Sequence, residues 1–377
     1  MATRAFWFDD EHESWEPTSF DGRADVAVVG GGVTGCSCAL TLAERGIRVR
    51  LHEAREIAGG ASGRNGGFAL RGATPPYDVA RATLGRPAAR LLMKLTERTL
   101  GRLEQLAGDA FRRVGSLRLA ADDAERDALR REHDALREDG FAVEWIDELP
   151  PRLAVLYRGA ILHPPDGAIR PARWVRRLAG HAARAGADVR EHDTVSVDGV
   201  DADVVVVAAD GYTASLLPEL AHVVQPTRGQ VLATEPLRER LFDRPHYARG
   251  GYDYWQQLPD GRLVLGGNRD AALAAEATPD EEVTDLVQRR NEELVERLVG
   301  YRPAITHRWA GIWGTTPDLQ PLVGRAPGRD DVWIAAGYSG HGNVLGLACG
   351  DLVARAILGE QPPELELFAP SRFAAVR

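Results

Sequence analysis

The sequence of 377 residues lacks the features that mark membrane and secreted proteins. Its longest strongly apolar run, 204–209, is far shorter than the roughly 20 residues that a membrane-spanning helix needs. Residues 1–15 carry acidic side chains and tryptophans where a secretory signal would have a basic start and an apolar core. These absences predict a cytoplasmic protein without a membrane partner.

A surplus of positive charge and a rich supply of cysteine are also missing. Lys and Arg total 46 against 55 Asp and Glu, a formal net charge of −9, which argues against a nucleic-acid partner. The three cysteines, Cys36, Cys38 and Cys349, are an odd number without metal-ligand spacing. We therefore expect no metal site, and we interpret the cysteines as reduced core residues in predicted helices.

The hydrophobic side chains, 44% of the total, suffice for more than one core, so two domains are expected. A strand-helix-strand unit is predicted over 25–53, and α/β character resumes over 167–209. Residues 227–268 instead show β runs joined by turns, which is typical of an antiparallel sheet. Further helices are predicted at 77–106, 122–138, 279–298 and 343–358. Since no low-complexity linker separates these regions, the two domains must be interleaved.

A dinucleotide-binding fingerprint lies at the start of the first predicted helix. Gly30, Gly32 and Gly35 complete G-x-G-x-x-G directly after a strand, and Glu53 ends the next strand. The glycines admit a pyrophosphate to the positive helix end, and the carboxylate accepts from ribose hydroxyls. A carboxylate at this position would repel the 2′-phosphate of NADP, so NADP is disfavoured as the cofactor. The alternative is a tight turn in an ordinary α/β protein.

FAD and NAD share that fingerprint, and a second glycine-rich segment, 59–67, bears on the choice. It contains the motif Ala61-Ser62-Gly63-Arg64-Asn65-Gly66-Gly67. Glycines let main-chain amides approach a planar ring or a pyrophosphate closely. On glycine content alone, a flexible surface loop remains an equal alternative.

With these motifs the sequence resembles the glycine oxidase, sarcosine oxidase and D-amino acid oxidase group of FAD-dependent oxidoreductases. It is most similar to the γ-glutamylputrescine oxidase-like branch. The resemblance extends over almost the whole chain and rests on these segments: 26–35, Glu53, 61–67, 166–171, 204–211, 226–230, 260–262, 309–318 and 337–342.

The resemblance implies an α/β fold, α+β overall, in which a Rossmann-like FAD-binding domain is interleaved with a smaller antiparallel-sheet substrate domain. The FAD-binding domain is expected at 1–76, 140–218 and 314–377. The substrate domain is expected at 77–139 and 219–313. Between 191 and 202 the family's usual excursion of several strands is nearly absent, so the FAD-binding domain is expected to be trimmed there.

The resemblance also implies where FAD is held. The expected cofactor-binding residues are Gly30, Gly32, Val33, Thr34, Gly35, Glu53, Ala54, Arg55, Ala61, Ser62, Gly63, Arg64, Asn65, Gly66, Gly67, Val195, Ala208, Ala209, Gly337, Gly340, His341, Gly342 and Asn343. Within this set, Glu53, Arg55 and Val195 would face the adenosine end. The segment 337–343 would pass beside the isoalloxazine, with the last helix directing its positive end at the flavin, where it favours the anionic reduced form.

Tyr254, His341 and Trp313 are the candidate catalytic residues. Tyr254 falls where the family places an active-site tyrosine on the substrate sheet, although a sheet tyrosine can serve packing alone. His341 would supply a positive or hydrogen-bonding group near the flavin, or else be structural. Members with covalent flavin carry a cysteine just before the segment that begins at Gly314; here Ile312 and Trp313 precede it, so FAD should be non-covalent.

The expected reaction is oxidation of the C–N bond of a primary or secondary amine. Hydride would pass to flavin N5, water would hydrolyse the imine, and O₂ would reoxidise the flavin and give hydrogen peroxide. The alternatives are a flavin dehydrogenase of an amino acid or 2-hydroxy acid that uses another acceptor, a non-catalytic flavin-binding protein, and an NAD-dependent dehydrogenase. Carboxylate-binding arginines expected of amino-acid oxidases are replaced by Trp313 and Gly340, although Arg64, Arg228 and Arg249 remain candidates for that contact.

Overall fold

The computed structural model describes residues 4–10, 14–15 and 18–373. Its strands are β1 Ala24–Val29, β2 Val49–His52, β3 Phe68–Ala69, β4 Phe111–Arg112, β5 Ser116–Leu119, β6 Glu144–Ile146, β7 Ala160–His163, β8 Gly167–Ile169, β9 Asp188–Arg190, β10 Ala202–Val207, β11 Gln225–Pro236, β12 His246–Ala248, β13 Asp253–Gln257, β14 Arg262–Gly267, β15 Ile305–Thr315, β16 Leu322–Arg325 and β17 Val332–Ala336. Its helices are α1 Val33–Ala43, α2 Ala61–Arg64, α3 Tyr77–Leu84, α4 Arg86–Ala107, α5 Asp123–Glu138, α6 Pro151–Ala154, α7 Pro171–Arg184, α8 Thr213–Leu216, α9 Asp285–Val299 and α10 Gly342–Ile357. The remaining residues of the expected FAD-binding domain, 1–3, 11–13, 16–17 and 374–377, lie outside the described residues.

A mainly parallel sheet has the strand order β16-β17-β10-β1-β2-β9. Strand β1 pairs in parallel with β10 and with β2, whereas β16 runs antiparallel to β17. The β1 residues Val26 and Val28 are buried, as expected of a strand covered on both faces. The connection β1-α1-β2 confirms the predicted Rossmann-like unit.

Helix α1 lies at the centre of this layer, and all of its residues are buried. It packs against α7 and α10. Contact with α10 is close because α10 carries glycine there: a Cβ on Gly350 would lie 2.3 Å from the Thr34 carbonyl oxygen. The Ser37 hydroxyl donates to the Leu347 carbonyl at 2.7 Å and ties the two helices together. The last helix of the chain therefore covers the first.

The second sheet has the strand order β15-β11-β14-β13-β12-β5-β7-β6. Its pairings are antiparallel except that β12 runs parallel to β5. This confirms the predicted antiparallel-sheet domain. Its core includes the fully buried Trp255 and Leu265, which belong to one cluster with Leu294 of α9 and Leu153 of α6.

Two strands of the antiparallel sheet fall outside the ranges expected for that domain. Strands β6 and β7 lie within 140–218, which the sequence assigns to the FAD-binding domain, yet β7 pairs with β5 and β6 pairs with β7. The residues of β6 and β7 would suit a strand of either sheet. Only the strand with which each one pairs shows the sheet to which it belongs. The exact domain boundaries remain predictions.

Local elements follow the sequence closely, with one clear difference. The helix predicted at 279–298 begins instead at Asp285. The Thr284 amide donates to Gln230 Oε1 at 2.9 Å, so the buried Gln230 side chain fixes the chain just before the helix. The expected trimming is present: between β9 and β10 the described structure contains a short 3₁₀ turn, Val197–Gly199.

Cys36, Cys38 and Cys349 are free and buried in α1 and α10, as predicted. Within the described part of the chain, no helix combines the length and apolar character needed to cross a membrane.

Candidate active site

A cavity of about 770 Å³ lies where the parallel sheet meets the antiparallel sheet. One wall is formed at the carboxyl ends of β1, β2 and β10, which is where ligands bind in open α/β sheets. The opposite wall consists of residues from β11, β13 and β15. The volume falls in the upper part of the range typical of cofactor sites, about 300–1,000 Å³.

Each fingerprint glycine occupies a position without space for a side chain. A Cβ on Gly30, which has φ +115°, would lie 2.5 Å from the Ala208 carbonyl oxygen. A Cβ on Gly32 would lie 2.8 Å from Ser62 Oγ, at the cavity surface. Gly35 packs against the Gly30 carbonyl and serves helix–strand contact, so it lies behind the cavity lining. These are the three roles that the fingerprint assigns to its glycines.

The end of β2 presents a fixed carboxylate. Glu53 Oε2 accepts from the Gly31 amide at 2.7 Å, and Oε1 accepts from the Arg55 amide at 2.8 Å. Val195 lines the cavity near this end, as do Ala54, Ala208 and Ala209. The structure therefore brings together the residues that the sequence assigns to the adenosine end.

The second glycine-rich segment is an ordered turn of the cavity wall. The Val33 amide at the start of α1 donates to Ser62 Oγ at 3.0 Å. The Asn65 side-chain amide donates to the Ala61 carbonyl at 3.0 Å, and the Gly67 amide donates to Asn65 Oδ1 at 2.8 Å. These bonds tie the segment to α1 and to itself, which argues against the alternative of a flexible surface loop.

The same segment meets the loop before α10. Asn65 and Asn343 exchange side-chain amide hydrogen bonds of 3.1 Å, and Asn343 also donates to the Phe68 carbonyl at 2.7 Å. Gly340, His341 and the start of α10 line the cavity beside them. The two segments that the resemblance places around the isoalloxazine are thus in direct contact.

Several predicted cofactor residues lie behind the lining. Gly63 packs against the Ala58 carbonyl, Gly67 against Gln256, and Gly337 against Thr316. None of these three glycines is among the described residues that line the cavity. Their role is to shape the turns whose adjacent residues, such as Ser62, Gly66 and Tyr338, line the cavity. The predicted cofactor residues that do line it are Gly30, Gly32, Val33, Thr34, Glu53, Ala54, Arg55, Ala61, Ser62, Arg64, Asn65, Gly66, Val195, Ala208, Ala209, Gly340, His341, Gly342 and Asn343.

Arg55 and Arg64 are both held by a carboxylate that the sequence did not single out. Glu281 accepts from Arg55 at 2.7 Å and lies 3.4 Å from Arg64 Nη1. The Tyr212 hydroxyl also donates to Glu281. Although burial opposes its ionisation, the hydrogen bonds from Tyr212 and Arg55 lower the pKa of Glu281. Glu281 lies in the irregular segment before α9, where no motif marks it.

Aromatic side chains form the part of the cavity that belongs to the antiparallel sheet. Tyr254 and Trp313, both predicted site residues, line it together with Tyr247 and Tyr252. The Tyr254 ring meets Phe68 edge-to-face at 5.9 Å. Burial raises the pKa of the Tyr254 hydroxyl well above its usual range, so it stays protonated. We refer to these four rings, Tyr247, Tyr252, Tyr254 and Trp313, as the aromatic wall.

His341 is uncharged at neutral pH. Burial, reinforced by the positive charge of Arg118, lowers the pKa of its imidazole to about 3. Nδ1 lies 3.1 Å from the Thr74 hydroxyl, while Nε2 is buried without a partner among the described residues. Of the two roles expected beside the flavin, a positive charge and a hydrogen-bonding group, this geometry favours the hydrogen-bonding group.

The arginines considered for a substrate carboxylate are already committed to protein carboxylates. Arg228 makes a buried two-pronged contact with Glu276 at 2.9 and 3.0 Å. Arg249 pairs with Asp253 and Asp270. Since Arg64 is held by Glu281, the cation that sequence reasoning missed is Arg269, which lines the cavity and lies against the aromatic wall.

The parallel sheet, the glycine-lined start of α1 and the adjoining aromatic wall define a dinucleotide-dependent oxidoreductase. Comparison with known proteins specifies which one. Residues 25–356 match the DAO family model, described as FAD dependent oxidoreductase. The chain belongs to this family of FAD-dependent enzymes, and its cofactor is FAD.

Individual relatives agree with that assignment. The probable oxidoreductase OrdL of Rhizobium meliloti (strain 1021) is 31% identical over 387 residues, which cover 94% of this chain and 87% of the relative. Gamma-glutamylputrescine oxidoreductase of Escherichia coli (strain K12) is 31% identical over 368 residues, which cover 89% of this chain and 84% of the relative. The crystal structure of glycine oxidase from Geobacillus kaustophilus has a TM-score of 0.74 at 26% identity, covering 91% of this chain and 96% of that one. The resemblance noted from the motifs, including its branch, is confirmed.

The site fits FAD on its own geometry. Gly30 and Gly32 leave room at the cavity surface that a Cβ would fill, next to the positive end of α1 where a pyrophosphate is favoured. The carboxylate of Glu53 lies beside that point, and the cavity continues to the aromatic wall. None of the cysteines lines the cavity, which is in keeping with the expectation of non-covalent FAD.

Proposed function

We propose that the protein oxidises the C–N bond of a primary or secondary amine in preference to a small free α-amino acid. The observation that carries this proposal is the aromatic wall, which includes the indole of Trp313 and lines the same cavity as Gly340 in the loop before α10. Neither can replace an arginine as the partner of an α-carboxylate. The names of the relatives include both an amine derivative, gamma-glutamylputrescine, and an amino acid, glycine.

Bound FAD would accept hydride at N5 from the amine-bearing carbon and pass the electrons to O₂ as hydrogen peroxide, leaving an imine that water hydrolyses. The protein's own residues have a different task. The rings of Tyr254 and Trp313 offer apolar faces to an alkyl chain, and a ring face attracts an ammonium by roughly 0.5–2 kcal/mol. They hold the substrate and exclude water.

The ionisation states of Tyr254 and His341 agree with a reaction that needs no side-chain base. Tyr254 stays protonated and His341 stays neutral, with one ring nitrogen close to Thr74. We therefore assign Tyr254 to substrate contact and His341 to hydrogen bonding near the flavin. Trp313 is assigned to the substrate pocket, where its ring packs over Gly229.

The experiment that tests the proposal measures peroxide formation and anaerobic flavin reduction across one substrate panel. The panel contains putrescine derivatives and other alkylamines, the amino acids glycine, sarcosine and D-alanine, and 2-hydroxy acids. We expect the highest kcat/KM with an amine, accompanied by peroxide. A preference for the free amino acids would overturn the proposal, and flavin reduction without peroxide would indicate a dehydrogenase that uses another acceptor.

A pair of variants separates the ring from the hydroxyl of Tyr254. Tyr254→Phe keeps the ring face and should retain most of the amine kcat/KM. Tyr254→Ala removes that face and should lower it strongly. If no member of the panel reduces the flavin of the wild-type protein, the non-catalytic flavin-binding alternative gains support.

A further inference from the structure

The aromatic wall continues into a cation on the same face of the antiparallel sheet. Tyr247 of β12 lies directly opposite Tyr254 of β13 on one side and opposite Arg118 of β5 on the other. Residues that lie opposite each other on paired strands share one face of a sheet. Tyr254 and Tyr247 line the cavity, whereas Arg118 is not among the described residues of the lining. The row therefore places Arg118 directly behind the wall.

The guanidinium of Arg118 is fixed between a ring and a carboxylate. Its Cζ lies over the Tyr247 ring at 5.4 Å from the centroid, within the distance of about 6 Å at which a cation is attracted to a ring face. Both carboxylate oxygens of Glu132 in α5 accept from Arg118 Nη1 at 2.6 Å. Glu132 is buried, and its Oε1 also accepts from the Tyr77 amide at 3.1 Å. Helix α5 and the start of α3 thus hold the guanidinium from outside the cavity.

The Tyr247 ring is also confined away from Arg118. Its hydroxyl donates to the Gly250 carbonyl at 3.3 Å, and a Cβ on Gly251 would lie 2.3 Å from that hydroxyl. The ring stands nearly perpendicular to the His341 ring, with centroids 6.1 Å apart. The glycine turn and the imidazole thus limit the ring at its hydroxyl and beside His341, and Arg118 limits it over its face.

Fold stability alone gives a weak reason for an ion pair at this place. The cost of removing two charges from water offsets much of their mutual attraction, so an apolar pair of similar size would often stabilise a fold as well. An apolar side chain at position 118 would not provide the attraction between a cation and the Tyr247 ring. The contact with the ring is therefore the property that an arginine supplies here.

We propose that Arg118 is a positioning residue for the reaction: held by Glu132, it fixes the ring of Tyr247 at the place where that ring lines the cavity. The amine would contact the ring, and Arg118 would act through it. The contact between amine and ring rests on the proposed function, whereas the hold of Arg118 on the ring does not.

The first test observes the ring directly and does not depend on turnover. Flavin-loaded protein labelled with 3-fluorotyrosine would be studied by ¹⁹F NMR, in which the signal of Tyr247 is the one that Tyr247→Phe removes. Arg118→Met keeps a long side chain and loses the charge, so we expect the Tyr247 signal to change in position and width as the ring gains freedom. Arg118→Lys keeps a cation and should have a smaller effect.

The second test asks whether Arg118 acts through the ring. With the amine that wild type oxidises best, Arg118→Met should raise KM roughly 2- to 30-fold, the factor that corresponds to one cation–π contact, and should change kcat less. In a Tyr247→Leu background the same substitution should have no further effect, because the ring that it positions is gone. Effects of the two substitutions that multiply would show that Arg118 acts independently of Tyr247 and would overturn the proposal.

A matched control lies on helix α5. Arg130 also lies over a ring, with Cζ 3.8 Å from the Trp145 centroid, and is not among the described residues that line the cavity. Arg130→Met should leave both the Tyr247 signal and KM unchanged. Glu132→Gln keeps the shape of the supporting side chain and removes its charge, so it should alter the Tyr247 signal in the same direction as Arg118→Met.

An Arg118→Met protein whose Tyr247 signal matches that of wild type would overturn the role of Arg118. If Arg118→Met does not fold, a wild-type Tyr247 signal in Glu132→Gln would have the same meaning. Failure of every amine to reduce the flavin would instead overturn the proposed function, and the NMR result would still decide whether Arg118 holds the ring.

Discussion

The indole nitrogen of Trp7 donates a hydrogen bond of 2.7 Å to the carbonyl oxygen of Asn65. Trp7 belongs to a short 3₁₀ turn, Phe6–Asp9, whose aromatic residues are buried against the parallel-sheet layer. A Cβ on Gly67 would lie 3.3 Å from the Trp7 ring, and one on Gly63 would lie 3.0 Å from Phe8. The turn Phe6–Asp9 therefore supports the glycine-rich segment 59–67 from behind.

Trp7→Phe should weaken FAD binding while leaving the fold intact. The substitution removes the hydrogen bond to Asn65 and keeps an aromatic ring in the core. A typical net hydrogen bond contributes about 1 kcal/mol, so we expect the Kd for FAD to rise roughly fivefold. Trp145→Phe is the control, since Trp145 donates to Asp147 on the surface. An unchanged Kd in Trp7→Phe, measured by fluorescence titration of apoprotein, would contradict this support.

Gly32→Ala should cause a much larger loss of FAD. The new methyl group would lie 2.8 Å from Ser62 Oγ and would occupy the cavity surface at the start of α1. Purified variant should carry far less flavin than wild type, as judged by the ratio of absorbance at 450 and 280 nm. Gly101→Ala serves as the control, because Gly101 lies within α4 and a Cβ there meets no atom within 4 Å. Full flavin occupancy in Gly32→Ala would show that the pyrophosphate is placed wrongly.

Purified protein should be yellow and should release intact FAD when it is denatured. Cys36, Cys38 and Cys349 lie in α1 and α10, and burial raises the pKa of all three thiols, so none is a reactive thiolate next to the cavity. Precipitation with acid followed by chromatography of the supernatant checks this expectation. Yellow colour that stays with the precipitate would mean covalent attachment.

His246 should make the antiparallel-sheet domain less stable in mild acid. Its ring stacks on Trp255 with centroids 5.0 Å apart, and burial lowers its pKa to about 4. An unfolded histidine titrates near 6.5, so between about pH 6.5 and pH 4 the unfolded state binds a proton that the folded state does not. The free energy of unfolding must therefore fall as pH falls through this window. From pH 7 to pH 5 the contribution amounts to about 2 kcal/mol.

His246→Phe should flatten that part of the pH dependence because it keeps a ring on Trp255 and removes the titration. Urea midpoints at pH 7 and pH 5, followed by tryptophan fluorescence, provide the measurement. His222→Gln, an exposed position, should follow wild type. If the urea midpoint falls equally from pH 7 to pH 5 in wild type and in His246→Phe, the role assigned to burial of this imidazole is contradicted.

The sequence predicts those parts of the site that depend on local spacing. Gly30, Gly32 and Glu53 are set by one strand-helix-strand unit, whose geometry is nearly invariant once its glycines are present. Ser62 and Asn65 belong to one short motif. In each case the residues that act together lie close in the chain, and the resemblance to a family covers the same segments.

The parts that could not be predicted depend on contacts between distant segments. Trp7 meets Asn65, and Glu281 meets Arg55, across 58 and 226 positions of sequence. Arg269 follows a strand end without a motif, and only the pairing of β13 with β14 places it beside Tyr252. Likewise, only the pairing of β7 with β5 shows that β7 belongs to the antiparallel sheet.

The cover that α10 gives to α1 has a consequence for the order of events during synthesis. Residues 33–43 are synthesised long before the helix that covers them, Gly342–Ile357. Until α10 has been made, the growing chain therefore lacks a partner for a helix whose residues are all buried in the folded protein. The loop 337–343, which directly precedes α10 and contributes Tyr338 to Asn343 to the cavity lining, is made at the same stage. Completion of the cavity and cover of α1 therefore depend on the same stretch of chain.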